Sequence, residues 1–176
     1  MADKNLNSLF EDTLKDIYFA ERKILTALPK MAKAARSSEL KAAFEKHRTE
    51  TEGQVERLEE VFGIIGQKPK GKTCAAIEGI LEEGKEMMEE YAESPALDAA
   101  LISSAQAVEH YEMSRYGTLK CLAEKLGLDD AAELLDETLQ QEIQTDQNLD
   151  VLAENDNAEG DDEENDMTKT KKQAAE

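Results

Sequence analysis

The chain contains few of the aromatic residues and prolines that are typical of β-strands and irregular segments. Its 176 residues include no tryptophan, four phenylalanines, four tyrosines and three prolines. Strands are enriched in aromatic and β-branched residues, and alternating runs of these residues are missing. Ala, Leu, Glu, Lys and Gln dominate instead, and all of them favour helices. The composition therefore predicts an all-α protein, and the length is that of a single domain with a core of its own.

Cysteine motifs and long apolar runs are also scarce. Cys74 and Cys121 lack the paired spacing of metal-binding cysteines, so we expect two free, buried thiols in a reducing cytoplasm. No apolar segment approaches the roughly 18 residues that a membrane span needs, and residues 1–12 do not have the pattern of a secretory leader. We expect a cytoplasmic protein with no membrane partner.

Positive charge is scarce as well. Only 21 Lys and Arg residues oppose 40 Asp and Glu residues, which leaves a net charge of −19. Nucleic-acid binding depends on clustered Lys and Arg, so the charge excludes that class of partner. Beyond Ala153 the sequence is acid-rich and has little to bury, which predicts disorder. We expect a helical bundle over residues 1–153 and an acidic disordered tail over residues 154–176.

Hydrophobic periodicity predicts four long helices and one shorter helix. The long helices are expected over about residues 7–35, 38–65, 95–127 and 130–153, and the shorter one over 73–91. Ser8, Thr73 and Ser94 are candidate N-caps, and Gly66 and Gly127 are candidate stops. The loops within each pair of long helices are short and the connection between the pairs is long. This pattern predicts an antiparallel four-helix bundle with the extra helix in the crossover.

Each long helix carries an acid in the middle of its apolar stripe. Along residues 105–116, AQAVEHYEMSRY, Glu109 and Glu112 lie where a helix normally places leucine. The matching acids of the other three helices are Glu21, Glu50 and Glu142. Because helix midpoints meet at one height in an antiparallel bundle, these carboxylates should converge on one layer of the core. Like charges cannot all ionise there unaided, so we predict two divalent metal ions, iron first and manganese as the alternative.

Three further residues on these stripes have two interpretations each. His47 is either a metal ligand or a hydrogen-bond donor to Glu50, which lies three residues later. Glu112 is a ligand, or a gate or support beside the metal, and Asp146 is a ligand or a support. The sequence leaves these alternatives open.

Four other residues are expected beside the metal rather than on it. Gln54 follows Glu50 at four residues, as Asp146 follows Glu142, which supports two related hairpins. Tyr18 and Tyr116 flank the carboxylates, where they fill the core or donate hydrogen bonds. His110 lies about 100° around the helix from Glu109, so we expect a hydrogen-bonded packing residue.

Four stretches resemble the ferritin-like stress proteins of the YciE/YciF type over roughly residues 5–153. They are LFEDTLKDIYFAE, His-x-x-Glu-Thr at 47–51, SSAQAVEHYEMSRYGTL and LLDETLQQEIQTD. The resemblance implies a ferritin-like bundle with a carboxylate-bridged di-metal centre, a ferroxidase-type activity and a small assembly such as a homodimer.

The chain departs from the wider ferritin-like pattern, which has Glu-x-x-His on the second and fourth long helices. Gly53 and Thr145 stand at the two histidine positions. Either His47 binds from the opposite side, or Gln54 and Asp146 fill in, or the site is oxygen-rich. An oxygen-rich site would favour manganese.

Three functions follow as hypotheses. The first is a di-iron oxidoreductase that reacts two Fe(II) ions with dioxygen or peroxide, with Glu21 and Glu109 as terminal ligands. Glu50 and Glu142 would then bridge the metals. The second is manganese-dependent peroxide dismutation on the same site. The third is a structural or interaction protein of the stress response, whose metal only stabilises the bundle.

Overall fold

The chain folds as five helices in the computed structural model, which describes the backbone of residues 4–173 and the side chains of residues 4–155. The helices are α1 Leu6–Ala34, α2 Ser38–Ile64, α3 Ala75–Glu90, α4 Leu97–Leu126 and α5 Asp129–Gln173. No strand occurs between residues 4 and 173. The all-α prediction is confirmed.

The four long helices form one bundle. α1 packs against α2 and α4, α5 packs against α4 and α2, and α3 lies against α4 and α1. The turn after α1 contacts Asp98 at the start of α4, and Arg57 late in α2 contacts Thr138 early in α5. Neighbouring long helices are therefore antiparallel, and α3 occupies the crossover. This is the predicted four-helix architecture.

Local signals set most of the helix ends. The Asn5 side chain accepts a hydrogen bond from the Ser8 backbone N–H and caps α1. The hydroxyl of Ser37 accepts from two backbone N–H groups and caps α2. Gly66 and Gly127 adopt φ values of 68° and 69°, the left-handed conformation that ends a helix at little cost for glycine. Both glycine stops were predicted correctly.

Three predicted caps are wrong. Ser8 is the third residue of α1 and completes a capping box with Asn5, so the cap lies three residues earlier than predicted. α3 begins after Cys74 rather than Thr73, and α4 begins after Ala96 rather than Ser94, neither with a side-chain cap. Helices held by tertiary packing tolerate uncapped ends, which is why cap signals alone misplace them.

The fourth long helix extends further than the sequence predicted. α5 continues to Gln173, whereas we expected its end at Ala153 and disorder beyond it. An α-helix satisfies its backbone hydrogen bonds internally, and the single Gly160 in this stretch lowers helix propensity by only about 1 kcal/mol. The backbone of residues 154–173 continues α5. Residues 174–176 lie outside the described residues, and the division between bundle and tail stays a prediction.

The core follows the predicted apolar stripes. Its fully buried side chains include Phe10, Leu14 and Ile17 of α1, Leu58 and Phe62 of α2, and Leu119 of α4. Cys74 is buried and free as expected, but the free Cys121 is exposed, contrary to prediction, because it faces away from the α4 stripe. No helix within residues 4–173 is long and apolar enough to cross a membrane.

Asp98 should be the most sensitive polar residue outside the bundle centre. Its carboxylate is buried and accepts from the backbone N–H groups of Arg36 and Ser37 at 2.9 and 2.6 Å, which joins the α1–α2 turn to α4. Asp98→Ala strands both donors and should lower the free energy of unfolding by about 2–3 kcal/mol in urea titrations. Glu124→Ala, an exposed change on the same helix, is the control. A loss below about 0.5 kcal/mol for Asp98→Ala would contradict this assignment.

Candidate metal centre

Polar side chains from all four long helices meet at the middle of the bundle. Each is a residue that the helix places on its buried, inward-facing stripe. The fully buried members are Glu21 from α1, Gln54 from α2, Glu109 and Glu112 from α4, and Glu142 from α5. The structure thus brings four of the predicted carboxylates together, those of Glu21, Glu109, Glu112 and Glu142, and His47 joins them with 4% exposure.

Four of these residues form a tight cluster. His47, Glu109, Glu112 and Glu142 each offer one donor atom, and these atoms all lie within 4.8 Å of one another. Nε2 of His47 is 3.2 Å from Oε1 of Glu109. Ligand atoms bound to one ion at about 2.0–2.2 Å are separated by at most about 4.4 Å. The cluster could therefore close around a metal ion with small side-chain movements.

Glu21 lies next to this cluster. The Tyr116 hydroxyl donates a hydrogen bond to Oε1 of Glu21, and the charges of Glu21 and Glu112 act on each other. On the opposite side, the Gln54 amide donates to Oε1 of Glu142. Tyr116 and Gln54 therefore hold carboxylates in place, as expected of residues beside a metal.

Glu50 and Asp146 lie at the margin. Oε1 of Glu50 pairs with Nζ of Lys46 at 2.7 Å, and Oδ2 of Asp146 is 3.2 Å from Nε2 of His110. The second oxygen of each carboxylate is buried. Each of these acids thus directs one oxygen outward to a cation or ring and one oxygen inward.

The buried donor atoms of this layer are largely without hydrogen-bond partners. Among residues 4–155, the unpartnered buried atoms of this layer include both nitrogens of His47, both oxygens of Glu112 and one oxygen each of Glu21, Glu50, Gln54, Glu109, Glu142 and Asp146. Buried polar atoms are nearly always hydrogen-bonded, so a group of buried acceptors without partners in one layer indicates that a ligand could bind there. Carboxylate oxygens and a neutral imidazole are donors for iron, manganese or zinc. The residues fit a metal site.

Burial dominates the electrostatics of the carboxyl groups. It raises the pKa of Glu21 to about 8, assisted by the charge of Glu142. It also raises the pKa of Glu109 to about 8. The pKa values of Glu112 and Glu142 are raised well above the usual range, first by burial and then by the neighbouring carboxylates. Without a cation these groups retain protons at neutral pH, and a bound metal ion would displace them.

The His47 ring has the protonation state that a metal ligand needs. Burial lowers its pKa to about 4, so the ring is neutral at physiological pH and keeps a lone pair. Tyr116 has the opposite shift: burial and the charge of Glu21 raise its pKa well above the usual value, which keeps the hydroxyl protonated as a donor. The two residues are thus held as a potential ligand and a hydrogen-bond donor.

Two neighbouring residues match their predictions in part. Tyr18 is buried in the core as expected, but its hydroxyl donates to Glu59 at 2.7 Å and not to a carboxylate of the central layer. His110 is hydrogen-bonded as expected, to Asp146, but it is exposed and does not pack in the core. Both differences come from the direction of the side chain, because a stripe predicts the face of a helix but not where a long side chain ends.

Sequence reasoning missed two cations near the layer. Lys46 pairs with Glu50 four residues later, a signal that the i, i+4 spacing carries. Arg57 donates to Thr138 and Gln141, both at 3.0 Å, and pairs with Glu137 at 2.8 Å. Arg57 lies seven residues after Glu50, on the same face of α2, so helical periodicity could have found it.

The fold and this layer define a class. An antiparallel four-helix bundle with a crossover helix, and a core layer of carboxylates and an imidazole that could hold a metal ion, is a ferritin-like protein. The chain belongs to the family described as Domain of unknown function (DUF892), whose model matches residues 5–160. The resemblance to YciF-type proteins is thereby confirmed.

Individual relatives agree with this assignment. YciF of Escherichia coli (strain K12) is 44% identical over 153 residues, 86% of this chain and 92% of YciF. The crystal structure of the E. coli stress protein YciF has a TM-score of 0.84 at 44% identity and covers 88% of this chain and 98% of that chain.

Two other solved structures are similar. YcfI from Rhodopseudomonas palustris, provisionally described as a structural protein, has a TM-score of 0.82 at 44% identity and covers 84% of this chain and 94% of that chain. A protein from Xanthomonas campestris pv. campestris is 21% identical, with a TM-score of 0.69 over 92% of this chain and 99% of that chain, which shows the shared fold alone.

The stability of the metal-free protein should fall as pH rises from about 6.5 to 8. Glu21 and Glu109 are protonated when folded up to pH about 8 but ionised when unfolded above about 4.5, so the unfolded state binds fewer protons. His47 acts in the opposite direction only below its unfolded value of 6.5. Each carboxyl should contribute a slope on the order of 1 kcal/mol per pH unit.

Urea unfolding in the presence of a chelator measures this slope. Glu109→Gln removes one titrating group and should flatten the slope, whereas the exposed Glu124→Gln should leave it unchanged. A metal-free protein whose stability is constant or rises over this pH range would contradict the protonated carboxyls.

Proposed function

We propose that this protein is a di-metal oxidoreductase that binds two Fe(II) ions at the centre of the bundle and oxidises them with dioxygen or peroxide. The observation that carries the proposal is the layer of buried donor atoms without hydrogen-bond partners, drawn from four helices. A buried carboxylate without a positive partner costs several kcal/mol, and four in contact are far more easily explained by a cation than by structure alone.

The distances between donor atoms in the layer support a set of proposed ligands. His47, Glu109, Glu112 and Glu142 surround one position, and Glu21 with Tyr116 lies beside Glu112. We propose that Glu142 and Glu112, together with the other members of this cluster and Glu21, would hold the two ions. Glu50, which we expected to bridge, would contribute only its inward oxygen, as would Asp146.

The iron supplies the redox chemistry. Two bound Fe(II) ions would supply two electrons to dioxygen, which with two protons would give hydrogen peroxide and two Fe(III) ions. The side chains have other tasks. The carboxylates would lose their protons to balance the metal charge, and Tyr116 and Gln54 would fix two of them in position.

Manganese-dependent peroxide dismutation is a second candidate. A single buried imidazole, His47, stands among the carboxylates of this layer. Ligand sets rich in oxygen suit manganese better than sets with two imidazoles. This observation keeps manganese beside iron as the metal.

The relatives support a role in the stress response. E. coli YciF is described as a stress protein, and we propose the same context for this chain. The provisional description of YcfI as a structural protein keeps the third hypothesis, a metal that only stabilises the bundle. A cytoplasmic location and a homodimer stay predictions, and light scattering would measure the second.

Anaerobic loading with Fe(II) followed by mixing with air tests the proposed function. The purified protein should bind two Fe(II) ions per chain and oxidise them faster than buffer. Glu142→Gln keeps the size of the side chain but removes its charge, so iron binding should fall below two ions and the oxidation rate by about tenfold or more. Glu124→Gln should match the parent protein.

The outcomes separate the candidates. Oxidation no faster than in buffer, with Glu142→Gln equal to the parent, would refute the di-iron proposal. Manganese in protein from cells grown with both metals, together with oxygen release from peroxide, would favour dismutation. A higher melting temperature with metal but no turnover with either oxidant would favour the structural role.

A further inference from the structure

Arg57 of α2 is held against α5 by three side chains of that helix. Its Nη1 donates to the Thr138 hydroxyl and to Oε1 of Gln141, both at 3.0 Å, and its Nη2 pairs with Oε1 of Glu137 at 2.8 Å. The Arg57 side chain is 16% exposed, whereas that of Glu137 is 59% exposed. Because a planar guanidinium group with several acceptors around it has one orientation, Arg57 is a fixed donor between the two helices.

A line of hydrogen bonds runs from Arg57 to the candidate metal centre. Oε1 of Gln141 accepts from Arg57 and also from Nε2 of Gln54, at 3.4 Å. The same Gln54 nitrogen donates to Oε1 of Glu142, one of the proposed ligands. Gln54 and Glu142 have no exposed surface, so bulk water does not compete for the bond between them.

The direction of this line is set at its Arg57 end. A guanidinium group only donates hydrogen bonds, so Gln141 must turn its carbonyl oxygen toward Arg57. A carbonyl oxygen only accepts, so Gln54 must turn its NH2 group toward Gln141. The same NH2 group then meets Glu142, whose carboxylate oxygens also need a donor.

The opposite orientation of the Gln54 amide has almost the same shape, because oxygen and nitrogen only exchange places. In that orientation the Gln54 carbonyl oxygen would face the oxygens of Gln141 and Glu142. Buried acceptors that face one another have lost their water and gained no partner, which is unfavourable. Without Arg57 the Gln141 amide could turn over as well, and the orientation of Gln54 would then depend on Glu142 alone.

We infer that Arg57 and Gln141 are positioning residues for the candidate metal centre: they fix the orientation of the Gln54 amide, and Gln54 in turn holds Glu142. Their effect on Glu142 passes through Gln54. The inference rests on the proposed function for its effect on metal binding, but the orientation of Gln54 can be measured without metal.

Nuclear magnetic resonance of the metal-free full chain measures this orientation through the side-chain NH2 signals of Gln54. In the parent protein both protons are buried and have acceptors, so they should exchange slowly with solvent. Arg57→Met should shift these signals and speed their exchange. Arg48→Met, which removes an exposed arginine of the same helix that also pairs with an acid, is the matched control. Unchanged Gln54 signals in Arg57→Met would overturn the inference.

Two variants of Gln141 test the middle of the line. Gln141→Glu keeps an acceptor for both Arg57 and Gln54, so the Gln54 signals should remain in slow exchange. Gln141→Leu removes the acceptor and should act as Arg57→Met does. This position is half-buried, so Gln141→Leu also secures the test if Arg57→Met fails to fold. Parent-like Gln54 signals in Gln141→Leu, or fast exchange in Gln141→Glu, would contradict the line.

Anaerobic titration with Fe(II) measures the consequence for metal binding. Arg57→Met should weaken binding by about tenfold or more, the usual loss when the support of a ligand is removed. Loss of the positive charge alone would strengthen the binding of a cation, so the sign of the change identifies positioning. Gln54→Met should weaken binding similarly, and the double variant should lose no more than either single variant.

The outcomes distinguish failure of the inference from failure of the proposed function. Stronger binding in Arg57→Met, or the same further loss in the Gln54→Met background, would overturn the inference, since Arg57 would then act by its charge or through the fold. A parent protein that binds no Fe(II) would refute the proposed function, and the Gln54 signals of Arg57→Met would still test the positioning. A parent that binds and oxidises Fe(II), with Arg57→Met equal to it in affinity, would refute the inference alone.

Discussion

The cost of burying like charges together is the constraint on which the centre of this protein depends. Glu21, Glu109, Glu112 and Glu142 are at most 1% exposed, and their neighbours are mostly other acids. Without a cation, these four side chains stay buried in their protonated, neutral form, although carboxyl groups in water are ionised at neutral pH. We propose that a pair of metal ions replaces those protons and supplies partners for oxygens that otherwise have none. On this proposal, metal binding and the stability of the bundle are linked.

The packing of the helices sets the relative height of the side chains in this layer. Antiparallel packing brings the midpoints of four helices to one height, and α3 spans the crossover that this arrangement requires. Asp98 joins the α1–α2 turn to α4, so the two halves of the bundle keep their relative height. Hydrogen bonds from Tyr116 and Gln54 then orient individual carboxylates.

Periodicity predicted much of this from sequence, because a helix places every third or fourth residue on one face. It located the inward acids and the glycine stops at Gly66 and Gly127. It could not predict the direction of long side chains, and so it missed the Glu59 partner of Tyr18 and the exposure of His110. It also missed the pairing of Lys46 with Glu50 and the helical continuation of α5, since composition describes what a segment can bury and not whether its backbone remains helical.

Metal ions in the carboxylate layer would distinguish a metal centre from a core of protonated carboxyl groups. Anomalous diffraction at the iron edge, from crystals of the full chain grown with Fe(II), tests this most directly. We predict two peaks within the layer, both in contact with Glu142, with His47 bound to one of them. Iron found only at exposed acids, with the layer empty and its carboxyl groups hydrogen-bonded to one another, would contradict the central claim.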